Sequence, residues 1–211
     1  MTAYNKKIPL IAILRGVSPQ QIIDVADVLI AEGISMIEVP LNSLEALTSI
    51  KLLIQEYGTD NLLLGAGTVT TPQLAEQVLA TGANLIVAPN TNRDVIQLAI
   101  QSSAYCLPGI VTPTEAFNAI EAGAKALKLF PVSMVGVDGI KAMNSVLSND
   151  IDLFPVGGIT AQEQSMKPYW QAGVAGFGIG SALFKPTMTL AELRANAQRF
   201  VNVFEKLTCD K

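Results

Sequence analysis

Short apolar runs recur along the chain, separated by longer stretches with helical periodicity. The runs at 10–14, 35–40, 62–66, 84–89, 104–108, 126–130, 153–156 and 176–180 read as eight strands. Consecutive apolar positions, rather than alternating ones, are the pattern of parallel strands covered on both faces. One punctuation mark comes back four times. Ala31-Glu32-Gly33, Ala80-Thr81-Gly82, Glu121-Ala122-Gly123 and Gln171-Ala172-Gly173 each stand between a helical stretch and an apolar run. Glycine just past a helix takes the left-handed cap conformation without a Cβ clash, so each triplet marks a helix end that feeds a strand. Helix starts are marked too. Ser18-Pro19, Thr71-Pro72 and Thr112-Pro113 set a capping hydroxyl before a proline at the first helical position. Thr112 with Glu115, and Thr160 with Glu163, fit the spacing of a capping box.

Eight strand–helix units in 211 residues leave roughly 26 residues each, enough for a strand, a crossover helix and two short loops. Strict alternation predicts an α/β protein with a parallel sheet. Eight repeats predict a compact, closed (β/α)8 TIM barrel, with residues 1–211 as a single domain; an open doubly wound sheet is the structural alternative. No linker or low-complexity segment divides the chain.

Composition narrows the chemistry. Half the residues are hydrophobic and 15% are charged, which supports a substantial core and excludes a disordered chain. The net charge is −4 and no block of like charge occurs, which argues against nucleic acid as a partner. Histidine is absent, so Ser-His-Asp and Cys-His catalysis and imidazole zinc sites are excluded. Cys106 and Cys209 cannot form a thiolate cage, and two unpaired thiols suit a reducing cytoplasm. The first seven residues are polar, and the apolar run that follows ends at Arg15. It falls far short of the ~20 residues of a membrane span, so neither a signal peptide nor a membrane association is expected.

In a barrel of this kind the chemistry collects at the C-terminal strand ends. Lys128 interrupts Ala126-Leu127-Lys128-Leu129-Phe130, where a charge is costly. Partial burial would lower its pKa and leave a neutral amine, a nucleophile toward carbonyls. The bland alternative is a lysine that snorkels to the strand end. Glu38 interrupts Met36-Ile37-Glu38-Val39-Pro40 and suits an acid/base, or else a structural carboxylate paired with Arg15 or Lys128. Gly157-Gly158 stands before a helix and Gly180-Ser181 follows the last strand. Both fit either a phosphate cradle of backbone N–H groups or ordinary tight turns. Arg15 suits a substrate carboxylate or an internal ion pair. Thr68 and Pro89 stand out only by position.

Taken in order, these motifs resemble those of the 2-keto-3-deoxy-6-phosphogluconate/6-phosphogalactonate (KDPG/KDPGal) aldolases over nearly the whole chain. The resemblance rests on Ile11-Ala12-Ile13-Leu14-Arg15-Gly16, Ile37-Glu38-Val39-Pro40-Leu41-Asn42-Ser43, Gly65-Ala66-Gly67-Thr68-Val69, Pro108-Gly109 with Thr112-Pro113-Thr114-Glu115, Leu127-Lys128-Leu129-Phe130-Pro131, Gly157-Gly158-Ile159 and Gly180-Ser181. It implies a class I, metal-independent aldehyde-lyase of carbohydrate metabolism that needs no cofactor, usually a homotrimer, acting on a phosphorylated sugar acid. Lys128 would form the Schiff base and Glu38 would act as general acid/base through a water. Arg15 and Thr68 would face the carboxylate, with Pro89 nearby, and Gly157, Gly158, Gly180 and Ser181 would hold the phosphate. Gluconate-type members resemble one another in a hydroxyl residue just before the Gly-Gly pair. Here that position is Val156, as in galactonate-type members, and Pro40-Leu41-Asn42-Ser43 is also galactonate-like. Thr112-Pro113-Thr114-Glu115 looks more like the gluconate branch. The expected reaction is cleavage of 2-dehydro-3-deoxy-6-phosphogalactonate to pyruvate and glyceraldehyde 3-phosphate, as in galactonate degradation. The alternatives are its C4 epimer as main substrate, a phosphate-binding barrel isomerase or synthase, or a non-catalytic sensor.

Overall fold

The computed structural model describes residues 8–209; the polar start at 1–7 lies outside the described residues. Strands and helices alternate as β1 (Leu10–Ile13), α1 (Ile22–Ala31), β2 (Met36–Pro40), α2 (Ala46–Tyr57), β3 (Leu63–Gly67), α3 (Pro72–Leu79), β4 (Leu85–Val87) and α4 (Arg93–Gln101). They continue as β5 (Tyr105–Leu107), β6 (Gly109–Ile110), α5 (Pro113–Glu121), β7 (Ala126–Leu129), α6 (Val132–Asn144), β8 (Asp152–Pro155), α7 (Glu163–Gln171), β9 (Phe177–Ile179) and α8 (Leu190–Cys209). Each expected apolar run contains a strand. All four junction glycines, Gly33, Gly82, Gly123 and Gly173, have positive φ, as a left-handed cap requires.

The expected closed eight-stranded barrel is not what forms. Six parallel strands build an open, curled sheet in the order β5-β4-β3-β2-β1-β9, and β6-β7-β8 build a separate three-stranded sheet. Proline chemistry accounts for much of the break. Pro108, at the end of the fifth run, separates β5 from an additional strand, β6, and the two pair with different neighbours, β5 with β4 and β6 with β7. On the other side β8 ends at Pro155, which has no N–H to donate. Beyond it a single bridge, Val156 to Gly178, reaches β9. The doubly wound alternative does not form either: the two sheets share one interior. Ile11, Met36, Leu63, Leu85, Leu107, Ala126 and Phe154, one from each of seven strands, pack into one cluster. A second, larger cluster lies between the outer strand faces and the helices.

The helix caps separate the good expectations from the poor ones. The Thr71 hydroxyl accepts from the Leu74 N–H, and Thr112 and Glu115 form a full capping box. Ser18 does not cap α1, which begins at Ile22. The Ser18 N–H and hydroxyl both donate to the Gln21 side-chain oxygen, closing a turn before the helix. Thr160 does not cap α7 either. Its N–H donates to Ser165 Oγ, and the helix is entered at Gln162, two residues beyond the expected cap. Among the described residues, no helix is long and apolar enough to cross a membrane.

Candidate active site

Side chains alternate along a strand, so the residues two positions beyond the inner apolar cluster point into the same interior, nearer the C-terminal strand ends. From Ile11, Met36, Leu63, Ala126 and Phe154 that step leads to Ile13, Glu38, Gly65, Lys128 and Val156. A dry layer thus lies under a layer that carries two ionisable groups. The register sets Ile13 opposite Glu38, Glu38 opposite Gly65, and Lys128 between Gly109 and Phe154. Glu38 is 1% exposed and Lys128 is 7% exposed; they are the two buried acidic or basic side chains of the described core.

Above this layer opens a cavity of about 530 Å³. Nine of the residues expected at the site line it. Arg15 comes from the end of β1, Thr68 from β3, Pro89 from β4, Lys128 from β7, Val156, Gly157 and Gly158 from β8, and Gly180 and Ser181 from β9. Glu38, the tenth, does not line it. It sits behind, close enough to Lys128 and Arg15 for all three charges to act on one another. The two sheets share the work, because Arg15, Thr68, Pro89 and Gly180 follow strands of the first, Lys128 belongs to a strand of the second and Val156 follows one.

Burial sets the protonation states. It pushes the Glu38 carboxyl upward, against the smaller downward pull of Lys128 and then Arg15. Burial also pushes the Lys128 ammonium downward, opposed by Glu38 and aided by Arg15. Both groups are biased toward their neutral forms, since desolvation acts on each charge and the partner restores only part of the loss. Glu38 Oε2 has no hydrogen-bond partner among the described residues, which is costly for an ionised oxygen and suits a group that exchanges a proton. The Phe130 ring lies 4.9 Å from Lys128 Nζ, near enough to steady a cation formed there.

The loops hold the rest. Arg15 is exposed and donates to Asn42 Oδ1 at 2.6 Å, while the next N–H, of Gly16, donates to Ser43 Oγ at 2.8 Å. The Asn42-Ser43 pair after β2 therefore fixes the loop after β1. Thr68 has φ +61°, a conformation that costs a β-branched residue about 1–3 kcal/mol, and it lies at the cavity wall. Sequence reasoning passed over several lining residues, among them Phe130, Thr160 and Lys185. Lys185 is exposed five positions past Gly180. The only sequence signal for it is a base soon after the last strand.

The family profile described as KDPG and KHG aldolase matches residues 1–196. The 2-dehydro-3-deoxy-6-phosphogalactonate aldolase of Escherichia coli (strain K12) is 39% identical over 203 residues, covering 96% of this chain and 98% of that protein. The solved structure described as native KDPGal superposes with a TM-score of 0.92 at 39% identity, covering 96% of this chain and 97% of the other. A chain of a cube-shaped, highly porous protein cage, designed by fusing symmetric oligomeric domains, also superposes at TM-score 0.92 and 39% identity, over 97% of this chain and 74% of that one. An amine and a carboxyl buried together beneath a cavity agree with these likenesses, and the chain belongs to the KDPG and KHG aldolase family.

Proposed function

We propose that the protein is a class I, metal-independent aldolase that cleaves 2-dehydro-3-deoxy-6-phosphogalactonate to pyruvate and D-glyceraldehyde 3-phosphate. The observation that carries this reading is the burial of Lys128 at the wall of a cavity, with Glu38 buried just behind it and Arg15 also at the wall. The neutral Lys128 amine adds to the C2 carbonyl, and the Glu38 carboxyl protonates the departing hydroxyl, which leaves as water. The product is an iminium on Lys128 and an ionised Glu38. That carboxylate takes the proton from the C4 hydroxyl as C3–C4 breaks, and the iminium accepts the electron pair as an enamine. Glyceraldehyde 3-phosphate leaves, Glu38 returns the proton to C3, and water releases pyruvate and the free amine. One carboxyl thus carries the same proton in both directions, which requires a group poised near neutrality.

Arg15 and Thr68 are assigned to the substrate carboxylate, with Pro89 shaping the wall between them. The N–H groups of Gly157, Gly158, Gly180 and Ser181 are assigned to the phosphate. Those donors are neutral, whereas a phosphate monoester carries a charge of about −1.5 to −2 at pH 7. Lys185, at the same cavity, is the cation suited to complete them. A charge-assisted contact of this kind is worth about 1.5–3 kcal/mol, so Lys185→Ala should raise KM for the phosphorylated substrate by ~10-fold or more. The rise should shrink as salt is added and should be smaller for the same sugar acid without phosphate. Steady-state kinetics on both substrates checks this, and equal changes in the two would remove Lys185 from the phosphate site.

Val156 is assigned to the choice of C4 epimer. It is 5% exposed, lines the cavity and offers no hydrogen bond to a C4 hydroxyl. The galactonate epimer should be preferred tenfold or more in kcat/KM, about 1.4 kcal/mol at the transition state. Val156→Thr should move the preference toward the gluconate epimer, because a hydrogen-bonding wall discriminates more sharply than an apolar one. Pyruvate release from each epimer is the test. A gluconate preference in the unaltered protein would leave the aldolase chemistry standing and overturn the branch assignment.

Assembly as a homotrimer in the cytoplasm belongs to the same reading. The likeness to a chain built from symmetric oligomeric domains, and the two free cysteines Cys106 and Cys209, support it. Sedimentation equilibrium reads the trimer directly.

A further inference from the structure

Two glycines on one face of β3 demand an explanation, because glycine inside a strand sacrifices both packing and chain entropy. Neither Gly65 nor Gly67 is among the residues of positive φ, so backbone conformation does not call for glycine at either. Space does, and differently at the two positions. A Cβ on Gly65 would lie 1.9 Å from the Leu85 carbonyl oxygen, so that glycine admits the neighbouring strand. A Cβ on Gly67 would lie 1.5 Å from Glu38 Oε2, 2.4 Å from Glu38 Cδ and 2.7 Å from Oε1. The three nearest atoms it would meet all belong to the Glu38 carboxyl.

We propose that Gly67 is a positioning residue for Glu38: its missing side chain is the seat that holds the carboxyl behind the cavity. The register supports this. Glu38 pairs with Gly65 and Pro40 with Gly67, so the Glu38 side chain leans along its strand onto the glycine two places further on. The Leu41 N–H donates to the Gly67 carbonyl at 2.9 Å, which fixes the seat against the strand that carries the acid. Glu38 is 1% exposed, so the carboxyl in this seat is held out of solvent. Thr68, in its left-handed conformation, follows directly and lines the cavity. The two adjacent residues thereby serve the acid/base on one side and the substrate on the other. This rests on the assignment of Glu38 as acid/base.

The test is a double-mutant cycle of Gly67→Ala and Glu38→Ala in the full chain, read by thermal unfolding and by kinetics. With Glu38 present, Gly67→Ala should lower Tm by about 3–10 °C, the effect of overpacking a chain of this size. It should also lower kcat by ~10²-fold while KM moves less than ~3-fold, with the pH profile shifted because the carboxyl has moved. In the Glu38→Ala background the same substitution should cost little or no Tm. Gly65→Ala should cost the same Tm in both backgrounds. If Gly67→Ala alone fails to fold and the double variant folds, the proposal stands. An equal Tm loss in both backgrounds, failure of both variants to fold, or a Gly67→Ala enzyme with ordinary kcat and pH profile would overturn it. Should Glu38→Gln keep full activity, the acid/base assignment fails, and the Tm cycle still reports whether Gly67 seats the carboxyl.

Discussion

Lys128→Met is expected to lose at least ~10⁴-fold in kcat/KM, about 5 kcal/mol at the transition state, because the side chain assigned to form the covalent bond is gone. Methionine is close to lysine in length and packs readily in apolar surroundings, so it should keep the inner wall intact. Lys128→Arg is the sharper companion. Arginine keeps the positive charge beside Glu38 yet cannot form an imine at these pH values. If Lys128 acts only by its charge, as in an isomerase or synthase reading, the arginine variant should retain activity within ~10-fold. If it is the nucleophile, both variants should be inactive. Borohydride reduction in the presence of pyruvate should attach a reduced pyruvyl group to Lys128, located by peptide mass spectrometry, and should leave both variants unmodified.

Lys128 also leaves a signature in stability. Its folded-state pKa lies below that of the unfolded chain because burial disfavours the ammonium. Between those two values the unfolded chain binds a proton that the native protein does not, so stability rises with pH through that window. Lys128→Met lacks this rise. Its Tm relative to the unaltered protein should therefore be highest on the acid side of the window and fall as pH increases. A difference independent of pH would mean that the amine is not desolvated.

Much of this arrangement is legible in the chain because each signal is local. A charged residue inside a buried apolar run has few innocent explanations, and the same reasoning picked out Lys128 and Glu38. The junction glycines announce helix ends through a backbone conformation that other residues avoid. The closed barrel was the wrong expectation because closure is decided between strands. Pro108 and Pro155 look like ordinary strand-end prolines until their neighbours are known, and then each stands where hydrogen-bonding partners change or run out. Ser18 and Thr160 failed as caps for a related reason. A hydroxyl at the right spacing caps only where the helix starts beside it; here Gln21 accepts from Ser18 and Ser165 accepts from Thr160 in turns ahead of the helices, and α1 and α7 begin later with no side-chain cap. Lys185 and Asn42 were invisible as site residues because exposed polar residues in loops resemble any other surface. The reason for Gly67 lies on the adjacent strand.

Glu38→Gln should reduce cleavage by about 10²–10⁴-fold, the range that one positioned acid/base contributes. The amide keeps the shape that occupies the space beside Gly67, so the loss reports proton transfer rather than repacking. Borohydride trapping of pyruvate on Lys128 should persist, since the nucleophile remains, although dehydration of the carbinolamine should slow. The amine itself should be neutral at lower pH than before, because the charge that held its pKa up has gone. The stability profile provides the independent check. Burial raises the Glu38 pKa above its unfolded value, so as pH climbs from the ordinary carboxylate range the unfolded chain ionises first and the native protein loses stability. That loss is complete once pH passes the raised folded-state value. Glutamine removes it, so the stability of Glu38→Gln relative to the unaltered protein should grow with pH through this window and then level off. A variant that cleaves within ~10-fold of the unaltered protein would hand the proton transfer to another group. A stability difference flat in pH would show that the native carboxyl is ionised as easily as an exposed one, which would leave the seat beside Gly67 holding a permanent charge and deprive the iminium step of its acid.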